Sequence, residues 1–427
     1  MNEAAFAHRR QQGQNDHRIA IIGAGIVGVA IAYELQRRGE NVVLVDRDAP
    51  GLGASYGNMA SIAVTEFMPA SRPGVWAKMP KWLLDPEGPV CIRPGYMPRL
   101  LPWFLRFLGA SRASKLRELE AAGAALCGRA LLDTEALLKD TGLSHMMSAE
   151  GSLSLYADED EFRADRDHIE ILERFGFHHD VLGGNAVRDL EPALTTNITK
   201  AVLFPDNRTI SDPFVLVTAL AERFQALGGR VETAEVVDFE QDGSNVSGLR
   251  FSDGRRLGVS RAVLAAGAFT SRLSQLIGEP IPLETERGYH TQIMAPGITM
   301  RHSIIWPARA FMVTPTAGGI RVGGTVEMAG LDAPPDYRRA KVLVKRAKEA
   351  LPNLKAENTS EWMGHRPALP DTVPVMGPSA KRRNVFYATG HGHLGLTYAA
   401  TTGRLIGDLM TGAPPLIDLK PYRVDRF

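Results

Sequence analysis

The clearest ordering of apolar and polar positions lies in residues 18–46, RIAIIGAGIVGVAIAYELQRRGENVVLVD. A short β-branched run, RIAII, ends in glycine-spaced residues, and the next stretch keeps Val27, Ala30, Ile31 and Leu35 on one helical face. A second apolar run, VVLV at 42–45, ends in Asp46. The pattern predicts strand, glycine turn, helix and a parallel strand buried on both faces, with Arg37 and Arg38 in the last helical turn and Gly39 as the stop.

Downstream the period changes several times. Residues 99–142 carry apolar positions at helical spacing, residues 151–156 alternate like a strand with one exposed face, and 158–175 read as one charged amphipathic helix. Ser211-Asp212-Pro213 opens a helix running to Gly228-Gly229. The stretches 231–240 and 246–254 read as strands, and 262–266 as a buried strand ending in Ala266-Gly267. Residues 280–330 predict several antiparallel strands, 336–350 a charged helix, and 361–378 a proline-punctuated loop. A strand at 385–389, a glycine turn and a helix from about 395 to 410 close the chain.

This succession predicts an α/β plus α+β fold: a Rossmann-like domain assembled from separated segments, with an inserted substrate domain built on an antiparallel sheet. The expected boundaries are 18–75, 191–283 and 363–427 for the first domain and 76–190 with 284–362 for the second, after a flexible tail at 1–17. A length of 427 residues agrees with two domains. The net charge of +1 gives no nucleic-acid footprint, and Cys91 and Cys127 have neither disulfide-framework nor metal-ligand spacing. No stretch has the roughly twenty apolar residues of a membrane span. A cytoplasmic location is expected, and the Pro-, Trp- and Met-rich segment 67–102 offers a peripheral contact with the inner face of a membrane.

The chemistry begins at the first turn. Gly23, Gly25 and Gly28 have the G-x-G-x-x-G spacing that permits a tight turn, backbone approach to a pyrophosphate and close helix–strand packing. Asp46 is placed to accept ribose hydroxyls, which disfavours a 2′-phosphate and leaves NAD and FAD open. The small-residue loop 49–61 would wrap a flat ligand with Ser55, Asn58 and Met59. Gly390, Gly392 and Gly395 form a second helix-opening turn, suited to the negative charge of a reduced flavin, whereas NAD needs only the first.

The segments GAGIVG with Asp46, GASYGNMAS, AAGAFTSRL, ERGYHTQ, GHRPALPDTVPVMGP and TGHGHLGLT, in this order, resemble the FAD-dependent D-amino-acid oxidase-like superfamily, and within it the bacterial D-amino-acid dehydrogenases. The resemblance implies noncovalent FAD, since no cysteine stands near the C-terminal motif. It implies that Gly23, Gly25, Ile26, Val27, Gly28, Asp46 and Arg47 hold the ADP half, with Ala54, Ser55, Asn58 and Met59 toward the pyrophosphate and ring. Val236 would lie by the adenine, Ala266 and Gly267 beside the phosphate, and Gly392, His393, Leu394, Gly395, Leu396 and Thr397 on the isoalloxazine.

Arg366, in the G-x-R-P motif, is implied as the clamp on the substrate carboxylate, a role that a fixed guanidinium fork also suits on its own chemistry. Tyr289 and His290 are neighbours on one strand and point to opposite faces; Tyr289 is the expected hydroxyl partner of the carboxylate. His290, His365 and His393 are expected to be supporting residues, although a histidine beside a flavin can titrate in a useful range. ERGYH departs from the Lys-Gly-Tyr-Ser type of the best-known dehydrogenases, which brings cyclic imino acids such as D-proline into consideration.

The expected reaction is oxidative deamination of a D-amino or cyclic D-imino acid, by hydride transfer from Cα to flavin N5, to an imine or oxo acid. Electrons would pass to a quinone, oxygen or a partner subunit. The alternatives are sarcosine- or glycine-oxidase-like amine oxidation, an NAD-dependent dehydrogenase and a non-catalytic flavin-binding subunit.

Overall fold

A computed structural model describes residues 18–72, 85 and 87–427. The tail expected at 1–17 and nearly all of the tryptophan-rich stretch PGVWAKMPKWLLDP lie outside the described residues.

One sheet has six strands in the order Arg230–Thr233, Asn41–Asp46, Arg18–Ile22, Arg261–Leu264, Val385–Thr389 and Val375–Pro378. The first five are parallel and the last is antiparallel. Alternate residues of the central strands serve two cores. Ile19, Ile21, Val42 and Leu44 meet Ile31, Leu35, Leu405 and Ile406 of helices Ile26–Arg37 and Gly395–Thr411. Ala20, Ile22, Val43 and Val45 meet Phe239, Leu249 and Phe251 of a small antiparallel sheet covering the other face. Burial on both sides explains the unbroken apolar runs. Helix Ala113–Thr141 packs outside Gly395–Thr411.

The larger sheet follows the path Thr359–Ala368, Glu284–Ile293, Gly319–Met328, Phe311–Thr316, Ser303–Trp306, Ser152–Tyr156, Lys200–Phe204 and Asp180–Gly183, with Val90–Ile92 beside Gly319–Met328. Helix Arg338–Ala350 covers it through Leu343 and Ala347, which pack with Ile293, Val313 and Val322.

Several expectations are corrected. Lys200–Phe204 pairs with Ser152–Tyr156, so it belongs to the larger sheet, not to the segment beginning at 191 that was assigned to the first domain. Thr359–Ala368 is a ten-residue strand that crosses the expected boundary at 363 and occupies what reads as loop. It lies at the sheet edge, where Pro367 removes no ladder donor from an interior strand. Ser152–Tyr156 is buried on both faces, being an interior strand. The expected helix at 99–142 is two helices, Met97–Ala110 and Ala113–Thr141, and that at 158–175 is also two, Glu159–Ala164 and Arg166–Arg174.

Candidate active site

The strand ends Ile22, Leu264 and Thr389 stand side by side in the six-stranded sheet, and the turns after all three open on one cavity of about 610 Å³. The connections from Arg18–Ile22 and from its neighbour Arg261–Leu264 leave at the point where a doubly wound sheet forms its ligand crevice. Gly23 has φ +114°, and a Cβ there would lie 2.4 Å from the Ala265 carbonyl oxygen, so only glycine fits. The helix Ile26–Arg37 has no cap of its own; the Ser55 hydroxyl, from the wrapping loop, accepts the Ile26 N–H at 2.9 Å. Asp46 accepts from Ala24 N–H at 2.6 Å and Asp48 N–H at 3.1 Å, and its burial raises its pKa.

The wrapping loop is held by its own polar groups. Asn58 donates to the Ser55 carbonyl at 3.1 Å and accepts from Ala60 N–H at 2.8 Å, while Arg321 donates to the Asn58 carbonyl. Its return is tied to the second glycine-led helix, because Thr397 accepts from Ala63 N–H at 3.1 Å.

The opposite wall is one face of two paired strands. Glu286, Gly288 and His290 stand across from Arg366, Gly364 and Trp362. A Cβ on Gly288 would lie 2.3 Å from Arg366 Nη2, so the guanidinium rests across that glycine; Trp362 rests across Gly364 and Gly57 in the same way. His290 stacks on Trp362 with ring centres 5.2 Å apart, and its Nδ1 faces the Gly57 carbonyl at 2.8 Å. Arg366 makes one hydrogen bond among the described residues, from Nη1 to the Thr325 carbonyl at 3.2 Å. The remaining guanidinium donors are open to the cavity that Arg366 lines.

Four histidines line the cavity, and all four are held well below the usual imidazole range. Burial, then the Arg321 cation, pushes His290 down to about 3, and burial alone does the same to His391. His365 falls to about 4 through burial and the cations Arg287 and Arg47, and His393, which faces the cavity, to about 4 through burial and Arg366. Burial lowers the Arg366 pKa while Glu286 opposes the shift, and burial raises that of Glu286.

Of the residues singled out from sequence, Gly23, Gly25, Ile26, Val27, Asp46, Arg47, Ala54, Ser55, Asn58, Met59, Val236, Ala266, Gly267, Gly392, His393, Leu394, Gly395, Leu396, Tyr289, His290 and Arg366 line the cavity. Gly28 and Thr397 do not. A Cβ on Gly28 would lie 1.8 Å from the Gly23 carbonyl oxygen, so this position sets helix–strand packing, and Thr397 fastens the loop.

Tyr289 requires a correction. It alternates to the face opposite Arg366, is 1% exposed, donates from its hydroxyl to Glu327 at 2.5 Å and accepts from Asp336 N–H at 2.9 Å. Glu327 also pairs with Arg287 at 3.0 Å and Arg93 at 2.7 Å. The Tyr289 hydroxyl is thus committed to a buried ionic cluster, and His290 is the neighbour that shares the Arg366 face. Trp362, Gly57 and His391 line the cavity without having been singled out as site residues. Trp362 was legible by period two from Arg366, once 359–368 is taken as a strand.

The fold and cavity define a doubly wound α/β protein with a dinucleotide-sized site. The chain belongs to the DAO family of FAD-dependent oxidoreductases, whose model matches residues 18–409. FAD is therefore the cofactor rather than NAD, and the glycine-shaped Gly23 turn beside Asp46 and Ser55 fits its ADP half. The chain is 34% identical over 420 residues to a D-amino-acid oxidase of Bradyrhizobium diazoefficiens, covering 96% of this chain and 98% of that one. It is 29% identical over 419 residues to a D-amino acid dehydrogenase of Rhizobium johnstonii, covering 96% of this chain and all of that one. Among solved structures it shares its fold with glycine oxidase from Geobacillus kaustophilus, with a TM-score of 0.74, 22% identity and coverage of 96% and 99% of the two chains. The L-proline dehydrogenase from P. horikoshii gives a TM-score of 0.72 and 21% identity, with coverage of 97% and 98%.

Proposed function

We propose that this enzyme oxidises the Cα–N bond of a D-amino acid or cyclic D-imino acid, to an imine that stays cyclic or hydrolyses to an oxo acid and ammonia. The observation that carries the reading is Arg366, a guanidinium laid across Gly288 with one internal hydrogen bond and its other donors open to the cavity. A carboxylate accepts such a fork in bidentate fashion. The D-amino-acid oxidase and dehydrogenase relatives, matched over nearly their whole length, support the same substrate class.

FAD, when bound, supplies the two-electron acceptor for this oxidation. Residues holding its ADP half would be Gly23, Gly25, Asp46 and Ser55, and the Gly392–Leu396 turn would meet its ring. Arg366 fixes the substrate carboxylate and so orients Cα. Trp362, stacked on His290, forms an aromatic wall that excludes water. Burial in the cavity and the Arg366 cation that lines it favour the unprotonated amine that the oxidation needs, without a dedicated base. Noncovalent attachment of FAD is supported by both cysteines: neither lines the cavity, and Cys127 is a buried thiol beside the Tyr398 hydroxyl, raised to about 12 by burial.

A quinone, oxygen or a partner subunit would take the electrons onward. Anaerobic addition of D-amino acids, D-proline, sarcosine and their L counterparts to the yellow protein tests the reading. Bleaching by D-amino or D-imino acids supports it, and bleaching by sarcosine or glycine alone would overturn it.

A further inference from the structure

Helix Met97–Ala110 buries Leu100, Phe107 and Ala110 and turns a second apolar stripe outward. Met97, Leu101 and Leu105, spaced four residues apart, are 42, 50 and 58% exposed. Pro98 and Pro102 are also exposed, and Arg99 and Arg106 border the stripe along one side. Exposed apolar side chains are ordinary when scattered, but three on successive turns form a surface with a direction.

The charge around it has one sign. Between Glu87 and Glu118 there is no acidic residue, while Arg93, Arg99, Arg106, Arg112, Lys115 and Arg117 are basic. Arg93 and Lys115 are paired, with Glu327 and Glu118. Arg99, Arg106, Arg112 and Arg117 are exposed and form no ion pair among the described residues. Such a face has an apolar side to enter lipid and a cationic margin to meet headgroups. The helix is also fixed to the rest of the protein near the site, since the Trp103 indole donates at 3.2 Å to the carbonyl of Ala368, two residues beyond Arg366.

We propose that the outward face of helix 97–110 is a docking surface for an anionic lipid bilayer, with Met97, Leu101 and Leu105 inserted at the headgroup boundary and Arg99 and Arg106 on the lipid phosphates. A protein partner would have to match a narrow apolar ridge and set acidic groups along its one cationic border; a bilayer with anionic headgroups supplies both in any orientation. The inference rests on the surface alone and is independent of the substrate assigned above.

The test is co-sedimentation of the full-length, flavin-loaded protein with phosphatidylcholine vesicles with or without phosphatidylserine. Binding to the anionic vesicles is expected to be about tenfold or more tighter than to the neutral ones, and to weaken with salt. The double variant Leu101→Asp/Leu105→Asp should lose about tenfold or more of that binding. Arg99→Gln/Arg106→Gln, which keeps the apolar stripe, should lose most of the preference for anionic lipid. Dye-linked turnover and flavin content should stay at the parent level in both variants. Equal binding to the two vesicle types, no binding, or unchanged binding by the variants overturns the inference. So does a lipid-free dimer that Leu101→Asp/Leu105→Asp abolishes, since the stripe would then be a subunit interface. Vesicle binding in a protein that oxidises no amino acid would leave the docking surface standing and remove the functional reading.

Discussion

Gly288→Ala is the sharpest probe of how the wall is built. The Gly288 backbone does not need a positive φ, so alanine is conformationally allowed on its strand. The added Cβ would stand 2.3 Å from Arg366 Nη2, 2.4 Å from Cζ and 2.7 Å from Nε. An ordinary carbon–nitrogen contact is near 3.4 Å, so the guanidinium must retreat by about 1 Å, and a misplacement of that size costs about 10²-fold in rate. Stability should change little. The atoms displaced are the far end of a flexible side chain, and replacing glycine within a strand recovers roughly 0.5–1 kcal/mol of backbone entropy. The assay is anaerobic rapid mixing, giving the substrate dependence of flavin bleaching, alongside flavin content and a melting curve. A fall in kcat/KM of about 10²-fold with full flavin and a Tm within a few degrees is expected. Parent-level kcat/KM at full flavin occupancy would refute the placement of Arg366 as the substrate clamp.

Gly364→Ala makes the contrasting case: its Cβ would lie 2.0 Å from the rigid Trp362 indole, so a loss of stability of about 1–3 kcal/mol is expected in urea unfolding. Arg366→Ala should lower kcat/KM by 10²–10³, about 3–4 kcal/mol, mostly through KM and with flavin retained, as steady-state dye reduction would show. Gly23→Ala places a Cβ 2.4 Å from the Ala265 backbone oxygen at φ +114°, and the purified protein should carry little flavin in its visible spectrum. The histidines set a pH dependence. His290 and His391 are held near 3 in the folded protein against about 6.5 unfolded, so the unfolded chain binds more protons between those values. Their stabilising contribution is complete above pH 6.5 and lost as pH falls through that window, by about 2 kcal/mol each at pH 5. Urea unfolding at pH 7.5 and 5.0 should show a loss of stability on acidification, and His290→Gln should reduce that loss by about 2 kcal/mol; a flat profile in the parent would contradict it.

The first βαβ unit could be read from sequence because its determinants are local. The run 18–22, the glycine turn and Asp46 need no distant partner to be recognised, and the observed elements Arg18–Ile22, Ile26–Arg37 and Asn41–Asp46 fall within a residue or two of expectation. The substrate wall was less legible because its signals are relations between strands. Pro367 reads as a loop breaker, yet an edge strand tolerates it, and only strand pairing reveals that Trp362, Gly364 and Arg366 share a face with His290. The choice of Tyr289 over His290 failed for the same reason. Sequence shows that the two point apart, but the face is fixed by the pairing register and by Glu327, thirty-eight positions on. The placement of Lys200–Phe204 depended likewise on its partner Ser152–Tyr156.

The proposed activity of this DAO-family flavoenzyme is to hold an amino-acid carboxylate on Arg366 and oxidise the adjacent Cα–N bond. It is tested most directly by one anaerobic titration of the parent protein and Arg366→Ala with D-amino and D-imino acids and their enantiomers, followed by the visible flavin band. Full bleaching of the parent by at least one D-configured substrate is expected, with a shift of the same titration to concentrations higher by orders of magnitude in the variant, its flavin still bound. Bleaching that is equal in the two proteins, or a parent flavin that no amino or imino acid reduces, would contradict it.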